Sequence, residues 1–385
     1  MRRILPVLAI LAFAAFIFAE PEPAFAAMDT SAEHALVMDA ATGQVLWQKD
    51  GFVAMPPASM SKLMTLELLF QRLADGRMKL TDTLPVSQRA WSTQGSKMFV
   101  ELGSRIAVED LIRGIITQSG NDACIVVAES VGGTVEGFVG MMNKRARELG
   151  LAQAHFVNPD GLPDPPGQMM SALDLAKLSR HLINDYPQYY HYFSEKSFTW
   201  HNITQPNRDL VISTLPGADG LKTGHTDDAG YGITISAKRD NQRLILVLNG
   251  LRFPQYHNDY FPNIKRAEEA SRVMEMAFRE FRSYPVFTAG QGVGQVPVQG
   301  GALPTVPVMV QKPLAVTMQV DSHAAMKTVV KANPGLTAPI AAGQKIGTVT
   351  ITAPEFPPLT VPVYAAQPLA GASILQRMMG MFGKK

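Results

Sequence analysis

The spacing of apolar residues changes twice along the chain, and this pattern constrains the fold more than any other feature. Alternation typical of strands marks a hairpin at 34–48, and strand-like runs return at 231–237 and 244–248. Between and after them, the spacing of amphipathic helices predicts helices at about 59–73, 107–117, 120–131, 135–149, 171–184 and 264–282. Strands at both ends of a helical middle predict an α+β domain with an inserted helical subdomain.

The composition shifts again from 284 to 367, where valine, proline, glycine and threonine predominate. Short alternating runs, such as 306–310 and 314–318, predict a small all-β domain. This segment offers no histidine pair and few carboxylates. We therefore look for the chemistry of the protein in the first 284 residues.

The composition also excludes several classes of protein. The single cysteine, Cys124, allows neither an internal disulfide nor a zinc site built from several cysteines. A formal net charge of +2 lacks the marked basic excess that nucleic-acid binding usually needs. His155, His181 and His225 are not spaced as a metal cluster. We predict no metal, no cofactor and no nucleic-acid partner.

The first 26 residues have the pattern of a secretory signal peptide. Arg2 and Arg3 precede an uncharged, nearly all-apolar run from 4 to 19, and Ala24-Phe25-Ala26 is a small-x-small cleavage site. The alternative is an uncleaved membrane anchor. Export without a disulfide suits the bacterial envelope, either the periplasm or the outer face of the cytoplasmic membrane.

The other end, 369–385, has the pattern of an amphipathic segment. It contains no acidic residue and ends in Lys384 and Lys385. On a helix, one face carries Ile374, Leu375, Met378, Met379 and Phe382. We expect this tail to lie on an anionic membrane surface. The alternative, a frayed or core-docked helix, is favoured by Gly380 and Gly383, which weaken helices.

The first of three short motifs is Ser59-Met60-Ser61-Lys62 at the start of a predicted helix. Residues three apart share a helix face, so the Ser59 hydroxyl and the Lys62 amine can meet. A buried lysine with a neutral amine can take the proton of a serine and make it a nucleophile. The alternative is a serine cap followed by a solvated lysine.

Two further motifs contain side chains of the same kind of chemistry. Ser119-Gly120-Asn121 offers a hydroxyl that can relay a proton and an amide that can orient a substrate, or else two capping residues. Lys222-Thr223-Gly224, followed by His225, lies just before an apolar strand and suits a carboxylate ligand. Gly224 allows a ligand to approach the backbone closely.

In this order, the three motifs match a set found in class A β-lactamases and penicillin-binding proteins. The chain resembles the low-molecular-mass penicillin-binding proteins that act as D-alanyl-D-alanine carboxypeptidases of the S11 peptidase type, over essentially everything after the signal peptide. Asn158-Pro159-Asp160-Gly161-Leu162 also fits them. Class A β-lactamases usually carry Asp at position 120, and 155–175 shows no clear counterpart of their deacylating Glu.

The resemblance implies a fold and a division of the chain. The fold is a transpeptidase domain of the penicillin-binding and serine β-lactamase type, with an antiparallel sheet flanked by helices and a helical subdomain. A small all-β domain follows it. The implied division is a signal peptide at 1–26, a catalytic domain at 27–284, a β-rich domain at 285–368 and the tail at 369–385.

The resemblance also implies roles for site residues. Ser59 is the acylated nucleophile, Lys62 its base, and Ser119 the relay of a proton to the leaving group. The oxyanion hole is formed by the backbone N–H of Ser59 and that of His225. The expected substrate-binding residues are Asn121 for an amide of the substrate, and Lys222, Thr223 and Gly224 near its terminal carboxylate.

Two arginines are candidates for the carboxylate-binding position of the family. Arg266 aligns with it, and a planar guanidinium suits a carboxylate. The segment 251–264 is longer and more aromatic than usual, which leaves Arg252 as a rival. Arg208 matches another family arginine near the site. We interpret Cys124 as a small buried apolar side chain rather than a catalytic thiol.

The implied reaction is removal of the terminal D-alanine from peptidoglycan stem pentapeptides through an acyl-enzyme on Ser59. Penicillins and other β-lactams are implied as covalent inhibitors, and cell-wall remodelling as the context. The alternatives are a D,D-endopeptidase or a β-lactamase on the same scaffold. A further alternative is an envelope scaffolding protein with weak catalysis, in which the β-domain is the working part.

Overall fold

A computed structural model describes residues 28–258 and 260–373. The predicted signal peptide and residues 374–385 of the predicted tail lie outside the described residues. Among the described residues no single helix has the length and hydropathy of a membrane span, and only a pair bent by 83°, Asn121–Gly132 with Val135–Glu148, meets the criterion jointly.

An antiparallel five-stranded sheet, ordered β2-β1-β9-β8-β7, forms the centre of the first domain. The predicted strands are confirmed, and the strands of this domain are β1 His34–Asp39, β2 Val45–Lys49, β3 Thr83–Pro85, β4 Arg105–Ala107, β5 Ser197–Trp200, β6 Ile203–Pro206, β7 Ala218–Thr226, β8 Gly230–Arg239 and β9 Gln242–Leu251. The third motif lies within β7 itself, and β7 is an edge strand of the sheet. Its polar residues hid this strand from the apolar pattern.

Helices cover both faces of the sheet. They are α1 Lys62–Ala74, α2 Gln88–Ser92, α3 Val108–Thr117, α4 Asn121–Gly132, α5 Val135–Glu148, α6 Ala172–Asp185, α7 Pro187–Tyr190, α8 Val211–Thr214 and α9 Tyr260–Glu280. Side chains of a strand alternate between faces. Leu36 of β1 therefore packs in the core shared with α1 and α6, whereas Val37 packs in the core shared with α9.

The predicted helices at 107–117, 120–131, 135–149 and 171–184 are confirmed as α3, α4, α5 and α6, within one or two residues at each end. The helix predicted from Ser59 differs at its start. A 3-10 turn at Ala58–Ser61 precedes α1, which begins at Lys62. Ala58 has a positive φ of 48°, outside the helical range, so the α-helix cannot extend back to it. The apolar pattern also missed the short helices α2, α7 and α8 and the strand pairs β3–β4 and β5–β6.

The chain after α9 forms the predicted small all-β domain. Its strands are β10 Phe281–Phe287, β11 Gly292–Pro297, β12 Thr305–Met309, β13 Leu314–Gln319, β14 Lys327–Ala332, β15 Lys345–Ala353 and β16 Phe356–Ala365. They form a five-stranded sheet, ordered β11-β12-β16-β15-β14, and the pair β10–β13. β10 spans the predicted boundary at 284, and its first residue, Phe281, packs in the core of the first domain.

Candidate active site

The first motif places a lysine against a serine. Ser59 lies half-buried in the 3-10 turn, and Lys62 begins α1 fully buried. The Lys62 Nζ donates to Ser59 Oγ at 2.8 Å. Burial lowers the pKa of the Lys62 amine, because a charged group loses its hydration in the interior, and Arg208 lowers it further. A neutral amine in this position can accept the proton of the serine hydroxyl.

Two more segments fix the Lys62 amine. It donates to Asn121 Oδ1 at 2.7 Å, and it contacts the backbone carbonyl of Asp160. The Thr65 hydroxyl holds the same loop through a hydrogen bond to the Pro159 carbonyl at 2.6 Å. The family resemblance includes this loop but gives it no role. The contact with the Asp160 carbonyl gives the loop a direct part in orienting the proposed base.

The second and third motifs meet across the site. The Lys222 Nζ donates to Ser119 Oγ at 3.0 Å, and Ser119 has a positive φ of 57° just before α4. Burial lowers the pKa of Lys222 well below its usual range, and the charges of Lys62, Arg208 and Arg266 act in the same direction. The sheet and the helical subdomain therefore bring together a hydroxyl and an amine that are far apart in the chain.

The edge strand β7 runs past the 3-10 turn that carries Ser59. A Cβ atom on Gly224 would lie 2.9 Å from the Pro57 carbonyl oxygen and 3.1 Å from the Ser59 nitrogen, so only glycine fits without displacement. His225 follows, and its ring stacks on Tyr231 with centroids 3.8 Å apart. An edge strand presents unpaired backbone groups to which an extended peptide can bind.

One cavity of about 520 Å³ joins the predicted residues. Of the predicted site residues, it is lined by Ser59, Ser119, Arg208, Thr223, Gly224, His225 and Arg266. The buried Arg266 contacts the Gly224 carbonyl at 3.4 Å, and its guanidinium lies 5.9 Å from the centroid of Tyr231. Asn121, Lys62 and Lys222 stand behind this lining through the hydrogen bonds described above.

The rival arginine lies elsewhere. Arg252 is half-exposed, pairs with Glu33 at 3.0 Å, and donates to the carbonyls of Asp227 and Asp228. It does not line the cavity that contains Ser59. Cavity geometry therefore favours Arg266 over Arg252 for contact with a bound carboxylate.

Cys124 lies fully buried in α4, and burial raises its pKa to about 12. A thiol in that state is protonated at neutral pH and is a poor nucleophile. Within residues 28–258 and 260–373 there is also no group of three or more histidine, cysteine, aspartate or glutamate side chains placed to hold a metal ion.

The cavity wall includes residues that sequence reasoning missed. Ser96 lines the cavity, and its hydroxyl accepts a hydrogen bond from Arg208 at 2.6 Å. Asp209 is buried next to this wall, and burial raises its pKa to about 6. Tyr260, Asn263 and Ile264 of α9 close another side. None of these residues belongs to a short motif, so only the fold identifies them.

The chain is similar to known proteins over most of its length. Residues 19–251 match the family model of D-alanyl-D-alanine carboxypeptidases, and residues 281–369 match that of the penicillin-binding protein 5 C-terminal domain. The D-alanyl-D-alanine carboxypeptidase DacF of Bacillus subtilis is 32% identical over 402 residues, covering 100% of both chains. DacC of Escherichia coli is 36% identical over 351 residues, covering 87% of this chain and 85% of its own.

Solved structures show the same fold. Penicillin-binding protein 5 of Haemophilus influenzae superposes with a TM-score of 0.79 at 31% identity, covering 89% of this chain and 98% of its own. Penicillin-binding protein D2 of Listeria monocytogenes, in its ampicillin-bound form, has a TM-score of 0.58 at 26% identity and covers 65% of this chain and 98% of its own. The penicillin-binding fold expected from the sequence is confirmed, and the chain belongs to the D-alanyl-D-alanine carboxypeptidase family of serine peptidases.

Proposed function

We propose that this D-alanyl-D-alanine carboxypeptidase removes the terminal D-alanine of peptidoglycan stem pentapeptides through an acyl-enzyme on Ser59. The observation that carries the proposal is the 2.8 Å hydrogen bond between the buried Lys62 amine and the Ser59 hydroxyl. Burial lowers the pKa of that amine and so favours the neutral form that acts as a base.

Acylation begins when Ser59 Oγ attacks the carbonyl carbon between the two terminal D-alanines. Lys62 accepts the hydroxyl proton, and the negative charge develops on the carbonyl oxygen. The backbone N–H groups of Ser59 and His225 stabilise this oxyanion. The position of Gly224 supports that pairing, because it brings β7 close to the Ser59 nitrogen.

The C–N bond then breaks, and the departing D-alanine nitrogen needs a proton. Ser119 passes to it the proton that Lys62 took from Ser59, since the Ser119 hydroxyl is held by Lys222 at 3.0 Å. Lys62 is then neutral again. The terminal carboxylate binds Thr223 and Arg266, close to the Lys222 amine. Arg208 completes the positive wall, and the Asn121 amide orients the peptide.

Water then attacks the ester carbonyl while Lys62 takes its proton. The bond between the acyl carbon and Ser59 Oγ breaks, and Lys62 returns the proton to Oγ. β-Lactams resemble the D-Ala-D-Ala end and acylate the same serine through opening of their ring. The ampicillin-bound form of the Listeria relative supports β-lactam recognition by this fold.

The deciding experiment measures D-alanine release from a muramyl pentapeptide by wild type and by Ser59→Ala. Wild type releases D-alanine and is labelled by a fluorescent penicillin, whereas Ser59→Ala stays folded and does neither. Ser61→Ala is the matched control, because Ser61 belongs to the same turn but its hydroxyl donates to the Ala58 carbonyl at 2.9 Å. Folded wild type that forms no adduct contradicts the proposal and favours a scaffolding role.

A parallel assay on cross-linked dimer separates the reactions possible on this scaffold. Cleavage of the pentapeptide supports a carboxypeptidase. Cleavage of the dimer alone supports an endopeptidase and contradicts the primary proposal. Rapid turnover of penicillin with no release of D-alanine supports a β-lactamase.

The proposal extends to location. We propose export through the signal peptide at 1–26, a catalytic domain at 27–284, a β-rich domain at 285–368 and contact with the membrane through the tail predicted at 369–385. The first residue of that tail, Leu369, packs in the core of the β-domain, so the proposed contact falls on the residues after it. The basic and apolar residues of the tail support this attachment. Deletion of 371–385 is expected to move the protein from the membrane to the soluble fraction, and unchanged partitioning contradicts the anchor.

A further inference from the structure

A buried carboxylate next to the second motif holds a loop that the proposed mechanism does not use. The Asp122 Oδ1 accepts from the N–H of Met98 at 2.9 Å and of Ala123 at 2.9 Å. Its Oδ2 accepts from the N–H of Phe99 at 2.8 Å and of Val100 at 3.1 Å. Asp122 is only 1% exposed and does not line the cavity, and its two oxygens already accept from four backbone N–H groups. The carboxylate is therefore bound to the backbone and not to substrate.

The loop that Asp122 binds is strained. Phe99 has a positive φ of 68°, which is unfavourable for a bulky side chain. Its ring is 49% exposed, so burial of the ring does not explain the conformation. Consecutive backbone N–H groups can form a concave anion-binding site where right-handed and left-handed backbone conformations follow each other. The Asp122 carboxylate occupies such a site, and strained residues persist where their surroundings fix them in this way.

The same loop, defined here as residues 94–100, supports the cavity wall. Its Gln94 and Ser96 carbonyls accept from the side chain and the backbone N–H of Asn121, both at 2.8 Å. The Ser96 hydroxyl accepts from Arg208 at 2.6 Å. Asn121 in turn accepts from Lys62 at 2.7 Å. The position of the 94–100 loop therefore affects both Lys62, the proposed catalytic base, and Arg208 in the cavity wall.

We propose that Asp122 is a positioning residue for the peptidase reaction. Its carboxylate fixes the 94–100 loop, so that Ser96 holds Arg208 at the cavity and Asn121 keeps its amide oriented. This inference rests on the proposed function, because it concerns the same active site. It adds a residue that acts through the loop without touching the substrate.

The test is Asp122→Asn, which keeps the shape of the side chain but replaces one accepting oxygen with a donor. Two of the four bound N–H groups then face an NH2 group, so the hydrogen bonds that they made to the carboxylate are lost. We expect kcat/KM for D-alanine release from an acylated peptide ending in D-Ala-D-Ala to fall about 10- to 100-fold. The rate of penicillin acylation is measured alongside.

Asp174→Asn is the matched control. Asp174 is also 1% exposed, lies in the first turn of α6 and accepts from the backbone N–H groups of Gln153 and Ser171. Neither Gln153 nor Ser171 lines the cavity. We expect both variants to lower the unfolding temperature similarly, while only Asp122→Asn lowers kcat/KM.

A double-mutant cycle with Ser96→Ala tests whether Asp122 acts on the site through the 94–100 loop. If Asp122 acts through the loop, the loss in the double variant is smaller than the product of the two single losses, because both act on one wall. Losses that multiply in full overturn the proposal. Wild-type kcat/KM in folded Asp122→Asn also overturns it, as does an equal loss in Asp174→Asn.

Two further outcomes are distinguishable. Wild-type protein that neither releases D-alanine nor reacts with penicillin contradicts the proposed function, whatever Asp122→Asn does. If Asp122→Asn does not fold, the comparison moves to a Phe99→Gly background, because glycine adopts the positive φ without strain. Equal kcat/KM in Phe99→Gly and in Phe99→Gly with Asp122→Asn then overturns the positioning role.

Discussion

The Lys222 amine donates to the Ser119 hydroxyl at 3.0 Å, and both side chains are buried between the sheet and the helical subdomain. Lys62, in turn, donates to the Ser59 hydroxyl at 2.8 Å. Burial lowers the pKa of each amine. The site therefore contains two buried lysines, each hydrogen-bonded to a different serine. This arrangement suits Lys62 for accepting the Ser59 proton and Lys222 for holding Ser119, the proposed relay of a proton to the leaving group.

Lys62→Met tests the proposed base. Methionine has a similar length but cannot accept a proton from Ser59. We expect the rate of penicillin acylation to fall by about 10²–10⁴-fold, the usual contribution of a general base. Stopped-flow labelling with a fluorescent penicillin measures it, with circular dichroism confirming the fold. Acylation at the wild-type rate would remove Lys62 from the mechanism.

The pH dependence of acylation follows from the lowered pKa of Lys62. The neutral amine is the active form, so activity is present above the folded-state pKa and is lost as the pH falls through it. Since burial moves that pKa below the usual range of lysine, we expect acylation to remain fast at neutral pH. A profile that requires strongly alkaline pH contradicts this prediction.

Arg266→Ala tests recognition of the terminal carboxylate. A hydrogen bond to a charged group contributes about 1.5–3 kcal/mol, so we expect kcat/KM for D-alanine release to fall about 10- to 100-fold. The loss is expected to disappear for a substrate whose terminal carboxylate is amidated. Arg252→Ala is the control, because its exposed pair with Glu33 lies outside the cavity. A larger loss in Arg252→Ala reverses the assignment.

The raised pKa of Asp209 predicts the direction in which folding stability changes with pH. Burial raises its pKa to about 6, although Arg266 and Lys222 oppose the shift. The folded state therefore holds a proton that the unfolded state loses near pH 4, and stability falls as the pH rises through the folded-state value. Relative to Asp209→Asn, we expect wild type to lose about 2–3 kcal/mol between about pH 4 and 7.

Denaturant unfolding of both proteins across that pH range measures the difference. Asparagine keeps an oxygen that can accept from the Val211 N–H, as Asp209 does at 3.0 Å. A free-energy difference that stays constant with pH shows that Asp209 does not titrate in this range.

Thr317→Val tests the contact between the two domains. The Thr317 hydroxyl of β13 donates to Asp39 Oδ2 of β1 at 2.6 Å, and both residues are buried. We expect a loss of about 1.5–3 kcal/mol in unfolding free energy, the value of a hydrogen bond to a charged group. Thr350→Val, which removes an exposed pair with Thr360, is the control and is expected to cost less than about 0.5 kcal/mol. Equal losses of unfolding free energy in the two variants would show that the hydrogen bond between the domains stabilises the protein no more than an exposed pair does.

The sequence alone determined the fold class and the nature of the site. Apolar periodicity is local, so it predicted most helices and the two hairpins of the main sheet. The relation between Ser59 and Lys62 is also local, because three residues span one helical turn. The family motifs then implied Ser119, Asn121 and Lys222. Strands with weak apolar patterns, including β3, β4, the β5–β6 hairpin and the edge strand β7, were not identified.

The tertiary structure decided which distant groups meet and how strongly they are buried. It brought Lys222 to Ser119, placed the Asp160 carbonyl against Lys62, and put Arg266 rather than Arg252 at the cavity. Such contacts depend on the packing of helices against a sheet, and one sequence carries no record of which remote residues touch. The lowered pKa values of the two lysines have the same origin, because only a folded interior removes water from an amine.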